Sequence, residues 1–410
     1  MLSSVQARFT PYGRATVELA LTVLLWQAST GVFLLSLVQQ YLPQQLEANA
    51  AFPGYALAIY AAARFVLQAP AGWLADRLGR RKTLTLGIAI SLSSIYLMLQ
   101  VPDATSFLAF SALYGAGSAA VWPSIMAYVG DTHEPEVRGR VLNGLNLAQL
   151  GGLGIGTMVG VTLLDLISYQ AAFAACLAFS GVALLFAYRG ARSAPEARRE
   201  GKLAEPVRFG RALLSTRILL LAGIALLLSI GTTIQAPVVG EYTSEVLKTK
   251  LYVLGLMLLA PAALAAVVAV RFGHLADRFG RQVPLIGGLA VAAVCYFLLS
   301  QTTHPLLAVN LVVLAGLAYA ISIPAWGAAV LDATELGGRG LLLGVLATVQ
   351  GFGGAAGQAI GGMTSAAWGP LAPFKVGAIL LMLALVLTVM QLQHQRHSAA
   401  AQAAAVPIDR

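Results

Sequence analysis

Twelve apolar stretches, separated by short polar or Pro/Gly-containing breaks, run along the chain. The bilayer core is about 30 Å thick, so a helix needs about 20 apolar residues to cross it. Every stretch comes close to that length, and the pattern predicts an all-α membrane protein with twelve transmembrane helices. The stretches lie at about 15–41, 54–75, 83–101, 106–130, 141–167, 171–188, 218–240, 251–272, 283–302, 306–331, 341–366 and 371–392.

Basic residues between the stretches predict the orientation of the helices. An even number of helices puts both termini on one side, and with that side cytoplasmic, twenty-two of the 26 Lys and Arg residues lie inside. Only Lys248, Lys250 and Lys375 then lie outside, and Arg64 lies within the membrane. This distribution follows the positive-inside rule. We expect a multi-pass protein of the plasma (bacterial inner) membrane with both termini cytoplasmic.

Composition supports this interpretation and excludes several functional classes. The chain is 58% apolar and 10% charged, with a mean hydropathy of +0.78, and a soluble domain with that ratio could not cover its surface with polar groups. The net charge of +9 comes from the cytoplasmic loops, so nucleic acid is not an expected partner. The sequence has no Gly-x-x-x-x-Gly-Lys-Ser/Thr loop, and its two cysteines and five histidines lack metal-ligand spacing. We expect no enzyme activity, no cofactor and no metal site.

The sequence repeats itself at an offset of 201 residues. The offset aligns Gly72, Leu74, Ala75, Asp76, Arg77, Gly79 and Arg80 with Gly273, Leu275, Ala276, Asp277, Arg278, Gly280 and Arg281, and without a gap it pairs Pro123 with Pro324 and Gly156 with Gly357. An offset of six helices keeps both copies in one orientation, which predicts two parallel six-helix bundles. We assign 1–189 and 218–393 to the bundles, 190–217 to a basic cytoplasmic linker and 394–410 to a cytoplasmic tail.

The segment from Gly72 to Lys82 reads Gly-Trp-Leu-Ala-Asp-Arg-Leu-Gly-Arg-Arg-Lys. It resembles the loop signature of the major facilitator superfamily, which lies between helices two and three of those proteins. The second copy, which begins at Gly273, is weaker only where Gln282 and Val283 replace the last basic residues. Helix number, repeat and central linker extend the resemblance over the whole chain. It implies the fold of that superfamily and a secondary active transporter that works by alternating access, usually as a monomer.

The resemblance also implies a latch at the cytoplasmic gate that stabilises the outward-facing state. A carboxylate at the end of the second helix can pair with an Arg of another helix, and such a contact breaks when the state changes. The implied latch residues are Asp76, Arg77, Gly79, Arg80, Arg81, Asp131 and Arg138, with Asp277, Arg278 and Arg281 in the second copy. The alternative is a loop that only orients the helices, which explains the arginines but not the duplicated acids.

Arg64 is the one basic residue that falls within the membrane. It precedes Asp76 by twelve residues, about 18 Å along a helix, which places it near the middle of the bilayer. A charge there costs about 2.5–3.5 kcal/mol, so it needs a partner or a water-filled cavity. One interpretation is that Arg64 binds an anionic group of the substrate. The other is a hydrogen-bonding hub with Tyr60, Gln68 or Gln27.

The resemblance implies that the first, fifth and seventh helices line a central cavity. Beside Arg64, the candidate substrate ligands are therefore polar residues of these stretches and a tyrosine of the second: Gln27, Tyr60, Asn146, Gln149 and Gln235. Aromatic residues accompany them and the stretches are not densely charged, so the cavity is expected to be amphipathic. This favours an apolar or amphiphilic solute over a sugar.

Carboxylates are scarce within the predicted helices. Only Glu18, about a turn inside the first helix, and Asp165, near the outer end of the fifth, lie close enough to the apolar core to exchange a proton there. They are the candidates for proton coupling. Each also has a structural interpretation, since Glu18 can pair with Arg14 four residues earlier.

The fifth stretch carries Gly152, Gly156 and Gly160, which lie on one helix face because they are four residues apart. The segment resembles the fifth-helix signature of superfamily exporters. Thr157 stands where drug/proton antiporters usually have proline, which weakens that assignment. The alternative is a face for helix packing, and the same spacing recurs at 353, 357 and 361.

Three functional hypotheses remain open. The leading one is proton-coupled export of small amphiphilic or drug-like compounds. The alternatives are transport of an anionic metabolite bound by Arg64 and a lipid or lysolipid flippase. The expected partners are a small-molecule substrate, membrane lipids and protons.

Overall fold

The computed structural model describes residues 13–190, 216–257, 282–332 and 339–405, and within these ranges the chain forms helices and no strand. The helices are α1 (Gly13–Val32, continued by π-helical Phe33–Tyr41 and by Leu42–Gln45), α2 (Phe52–Leu78), α3 (Arg80–Met98), α4 (Ala104–Ala119 and Val121–Thr132), α5 (Pro135–Leu166), α6 (Tyr169–Gly190), α7 (Thr216–Thr233), α8 (251–257, at the edge of the described part), α9 (Gln282–Leu299), α10 (Pro305–Asp332), α11 (Arg339–Trp368) and α12 (Ala372–Ala405).

The twelve predicted helices are confirmed, and most bounds agree to within a few residues. Two differences have a physical cause. Helix α7 ends at Thr233 and the chain continues as short turns through Val246, because Pro237 has no backbone N–H to donate to a helical bond. Helix α12 continues to Ala405 because the last part of the chain is rich in alanine, the strongest helix former. Most of the predicted linker at 190–217 and the end of the tail lie outside the described residues.

Seven of the described helical stretches are long and apolar enough to cross a membrane by length and composition. Helix α2 carries Arg64 in its middle, and α3 begins with three basic residues, which lowers their hydropathy. Large apolar side chains are exposed on the outside of the helices, with Leu147 70% and Leu150 66% exposed. Such surfaces suit lipid and not water. The molecule is a multi-pass membrane protein.

The described chain divides into two compact units. The first contains α1–α6 together with the short segments 237–241 and 250–252; the second contains α7 and α9–α12. In the first unit, α1 packs against both α5 and α6, and α4 packs against α2 and α3. In the second, α7 packs against α11 and α12, and α9 packs against α10 and α12. Helix α1 therefore has the central place in its unit, and α7 holds the matching place in the other.

Glycines on α5 allow its close approach to α1. A methyl group on Gly156 would collide with the backbone carbonyl of Ala28, and one on Gly152 would collide with that of Leu24. Gly154, two residues away, faces open space. The second unit repeats this arrangement, since a methyl group on Gly357 would lie 2.7 Å from the carbonyl oxygen of Ile230 on α7. The glycine spacing in the fifth helix therefore makes a packing face.

Replacing Gly156 with alanine should destabilise the protein, and replacing Gly154 should not. The Gly156→Ala methyl group has no space against α1, and overpacking of this kind costs about 1–3 kcal/mol. The Gly154→Ala methyl group meets nothing and gains about 1 kcal/mol of helix propensity. Thermal unfolding of both variants in detergent checks this: the midpoint of Gly156→Ala should fall by several degrees, and that of Gly154→Ala should stay or rise. Equal midpoints would show that the contact between α1 and α5 at Gly156 can widen without loss of stability.

Candidate functional site

Arg64 lies in the middle of α2 and is half-buried. Its guanidinium makes no hydrogen bond or ion pair with any residue that the structure describes. The Tyr60 hydroxyl and the Gln27 Oε1 atom are buried and are themselves without a described partner. The alternative hub of Arg64 with Tyr60, Gln68 or Gln27 is therefore not formed among the described residues. No residue in the described ranges supplies a partner for the charge of Arg64.

The surroundings of Arg64 along α2 are aromatic on one side and apolar on the other. One turn before it, the Tyr60 ring lies 5.5 Å from the Phe33 ring and 5.6 Å from the Tyr114 ring, measured between centroids. After it, Val66 and Leu67 are exposed, with Val66 56% exposed. Leu67, three residues after Arg64, lies on the same side of α2, whereas Val66, two residues after it, lies on nearly the opposite side.

The other predicted substrate ligands differ in exposure. Gln27 is buried on α1, Asn146 is exposed and Gln149 half-buried on α5. Gln235 belongs to the second unit, where its Nε2 atom donates to the Thr232 carbonyl (2.7 Å) and its Oε1 atom is buried without a described partner. Their role in binding stays a prediction.

Three further buried polar groups on α1 were not among the predicted substrate ligands. The indole N–H of Trp26, the Oγ atom of Ser36 and the Oε1 atom of Gln40 also lack a partner among the described residues. A buried donor or acceptor left unpaired costs about 1–3 kcal/mol. The position of Trp26 next to Gln27 could have indicated that it belongs to the same polar group of residues. For Gln40, the sequence offers only a polar residue within an apolar stretch.

The two candidate proton carriers have different environments. The Glu18 carboxylate pairs with Arg14, with 3.1 Å between Oε1 and Nε, and lies against Gly190 at the end of α6. The Asp165 Oδ2 atom accepts a hydrogen bond from the backbone N–H of Tyr252 (3.4 Å) and is attracted by Lys250. Both therefore have structural contacts, and their part in proton coupling stays a prediction.

Arg80 is the centre of the charge network at the turn between α2 and α3. Its guanidinium binds Asp76 one turn earlier and Asp131 at the end of α4, with 3.2 Å between Nε and the Asp131 Oδ2 atom. Burial lowers the pKa of Arg80, but its hydrogen bonds and attraction to the two carboxylates raise it by more, so the pKa is raised above its ordinary value. Gly79 makes the sharp turn that brings α3 back, with a φ of 94° that other residues rarely adopt.

The other basic residues of the predicted latch bind differently. The Arg77 guanidinium lies 4.2 Å from the centre of the Trp73 ring, and that of Arg81 lies 4.2 Å from the centre of the Tyr188 ring. Arg138 does not pair with Asp131. It donates to the carbonyls of Gly130 (2.6 Å) and His133 (2.8 Å), because the last carbonyls of α4 have no helical partner. Asp277, Arg278 and Arg281 lie outside the described residues.

Comparisons with known proteins agree with this fold. The model of the Major Facilitator Superfamily matches residues 19–231 and 221–407. A proton-coupled antiporter flippase LtaA of Staphylococcus saprophyticus is 24% identical over 358 residues, which cover 85% of this chain and 86% of the relative. Among solved structures, a bacterial homologue of the human lysosomal transporter Spinster, inward-facing and occupied, superposes with a TM-score of 0.74 at 15% identity over 93% of this chain and 97% of its own. The nucleoside transporter NupG superposes with a TM-score of 0.71 at 14% identity over 93% and 99%.

The Arg80→Lys variant should loosen the end of α4. A lysine keeps the charge but has no planar fork, so it cannot hold Asp76 and Asp131 together as the guanidinium does. Hydrogen–deuterium exchange of the amides at 128–134 should rise several-fold. Arg77→Lys is the matched control, because Arg77 contacts a tryptophan and no described acid. Equal exchange in the two variants would mean that the Arg80 contact does not anchor α4.

Proposed function

The chain belongs to the major facilitator superfamily, and on that basis we propose that this transporter moves an amphiphile with an anionic head across the membrane, by alternating access and in exchange for protons. The observation that carries the proposal is Arg64, a half-buried cation in the middle of α2 with no described partner. We also infer a bacterial inner-membrane location, cytoplasmic termini and a monomer.

The anionic head follows from the cost of a cation in the membrane. A charge near mid-bilayer is tolerated where it faces a cavity or a partner, and none of the described acids of α1–α6 binds Arg64. A guanidinium offers several donors in a planar fork that fits phosphate, sulfate or carboxylate oxygens. An anionic head that enters this position gains a charge-assisted contact and removes the unpaired charge.

The amphiphilic body follows from the apolar surface next to Arg64. Leu67, three residues after Arg64 and therefore on the same side of α2, is exposed. An acyl chain of a substrate bound at Arg64 would cover Leu67, and a soluble anion would not. The relative from Staphylococcus saprophyticus, whose name calls it a flippase, supports a lipid substrate.

Proton exchange is supported by the same relative, which is named a proton-coupled antiporter. In this chain, Glu18 and Asp165 are the candidate carriers. Asp165 accepts only a backbone hydrogen bond and has no described ion pair within 4.0 Å, whereas Glu18 pairs directly with Arg14. Asp165 is therefore the first carboxylate to test.

Export of neutral or cationic drug-like compounds is the second candidate function. Its support is the pair of buried neutral groups, the Tyr60 hydroxyl and the Gln27 amide oxygen, that lack described partners and could bind a neutral amphiphile. This function gives Arg64 no role, and Arg64 would repel a cationic substrate. We therefore place it after the anionic amphiphile.

The test is the transport of three probes by reconstituted Arg64 variants. The probes are fluorescent phosphatidylglycerol, an anionic lipid; glycerol 3-phosphate, a soluble anion; and rhodamine 6G, a cationic dye. Arg64→Gln should reduce phosphatidylglycerol transport roughly tenfold to a hundredfold, since a hydrogen bond to a charged group is worth about 1.5–3 kcal/mol. Arg64→Glu should abolish it, and Arg64→Lys should retain part of it.

Gln68→Ala is the matched control, because Gln68 lies one turn further along α2 and carries no charge. It should leave transport within about twofold of the unchanged protein. Loss of glycerol 3-phosphate transport alone would favour a soluble anion. Rhodamine transport that survives Arg64→Glu, with no lipid movement in any variant, would favour drug-like export and contradict the proposal.

A further inference from the structure

His133 lies in the two-residue link between α4 and α5, and its ring has no role in the contacts described above. Its backbone is extended, with φ −121° and ψ 146°, and its N–H closes α4 by donating to the Val129 carbonyl (3.1 Å). Helix α5 starts two residues later at Pro135. The ring of His133 is thus held at the point where the chain leaves one helix for the next.

Both ring nitrogens of His133 have a hydroxyl partner. The Nδ1 atom lies 2.8 Å from the Oγ1 atom of Thr132, its neighbour, and the Nε2 atom lies 3.0 Å from the Oγ1 atom of Thr16. Thr16 is buried in the first turns of α1, 117 residues away in sequence. One side chain therefore connects the cytoplasmic end of α1 with the end of α4.

The hydrogen bonds around the ring determine which nitrogen carries the proton. The Thr132 hydroxyl donates its one proton to the Tyr128 carbonyl (2.7 Å), so its oxygen must accept from the Nδ1–H of His133. In the neutral ring, Nε2 is then an acceptor and the Thr16 hydroxyl donates to it. In the contact between α1 and the link, Thr16 is therefore the donor and the Nε2 atom of His133 is the acceptor, so both ring nitrogens are used.

The same short segment carries the contacts of two other helices. Asp131, two residues before His133, binds Arg80 at the start of α3. The carbonyls of Gly130 and His133 accept from Arg138 on α5. The segment 130–133 is thus hydrogen-bonded to the cytoplasmic ends of α1, α3 and α5. A displacement of one of these helix ends therefore strains the hydrogen bonds to the other two.

We propose that His133 is a positioning residue of the cytoplasmic network, which carries displacements of α1 at Thr16 to the contact between Asp131 and Arg80. The proposal rests on the membership of the chain in a transporter family and is independent of Arg64 and of the substrate class. Because the His133 ring joins Thr16 directly to the segment 130–133, a shift of the cytoplasmic end of α1 reaches the network through this contact. Its effect on transport is on turnover and not on substrate binding.

The first experiment measures hydrogen–deuterium exchange in the full-length protein in nanodiscs, without substrate. Thr16→Val keeps the shape of the side chain and removes only the hydroxyl that His133 binds. Exchange should rise roughly threefold to tenfold both at 17–24 on α1 and at 130–134, in line with the loss of one hydrogen bond of about 0.5–1.5 kcal/mol. A rise confined to α1 would overturn the proposal.

Two histidine replacements separate the two hydrogen bonds. His133→Gln places an amide near the Nε2 position and should keep the bond to Thr16, whereas His133→Asn places one near the Nδ1 position and should keep only the bond to Thr132. Exchange in His133→Gln should stay close to that of the unchanged protein, and exchange in His133→Asn should match that of Thr16→Val. The reverse order would contradict the proposal. His304→Gln, which changes a histidine outside this network, is the control.

A double-mutant cycle tests the coupling directly. Thr16 and Arg80 share no described hydrogen bond or ion pair, so independent effects on exchange at 130–134 should multiply in the Thr16→Val/Arg80→Lys variant. If the proposal holds, the increase in exchange in the double variant is smaller than the product of the two single increases, because either change alone already breaks the connection between α1 and α3 through the segment 130–133. Multiplying effects would overturn it.

Discussion

The close contact of α1 and α5 is the constraint on which the first unit depends. In a bilayer, lipid tails are as apolar as leucine side chains, so helices associate through tight packing and hydrogen bonds rather than through the hydrophobic effect. Gly152 and Gly156 let the backbone of α5 touch that of α1 at Leu24 and Ala28. The position of α1 in turn determines where Thr16 meets His133. The second unit uses the same device at Gly357.

The fold could be predicted from the sequence because the bilayer allows few alternatives. A span of about 20 apolar residues has to be helical, since no water satisfies its backbone, and the 201-residue repeat adds the symmetry. Local departures had weaker signals. Pro237 could have indicated the end of α7, whereas the π-helical stretch at 33–41 in α1 has no marker in its composition.

The charge network could be predicted only as a set of residues. The arginines in this set are equivalent as cations, and the partners of Arg80, Arg81 and Arg138 depend on where α4 and α6 end. The Arg77 contact with Trp73 follows helical spacing and could have been inferred. The contact between Thr16 and His133 could not, because its residues are 117 positions apart and neither is unusual in its surroundings.

Arg80 and Arg64 show two ways of keeping a cation in this chain. Arg80 has two carboxylates, so its charge is balanced whatever the protein binds. Arg64 has no described partner, so the free energy of the state in which it is half-buried depends on what else occupies that position. A ligand can shift a conformational equilibrium only by the difference in its affinity for the two states. Under the proposed function, an anion that binds Arg64 has different affinities for the two states. In the state where the guanidinium is half-buried, the anion removes the cost of the unpaired charge. In a state where water reaches the guanidinium, that cost is absent and the anion gains less. Under the proposed function, a cation that is costly to keep in the membrane is therefore also the residue through which substrate binding would drive the cycle.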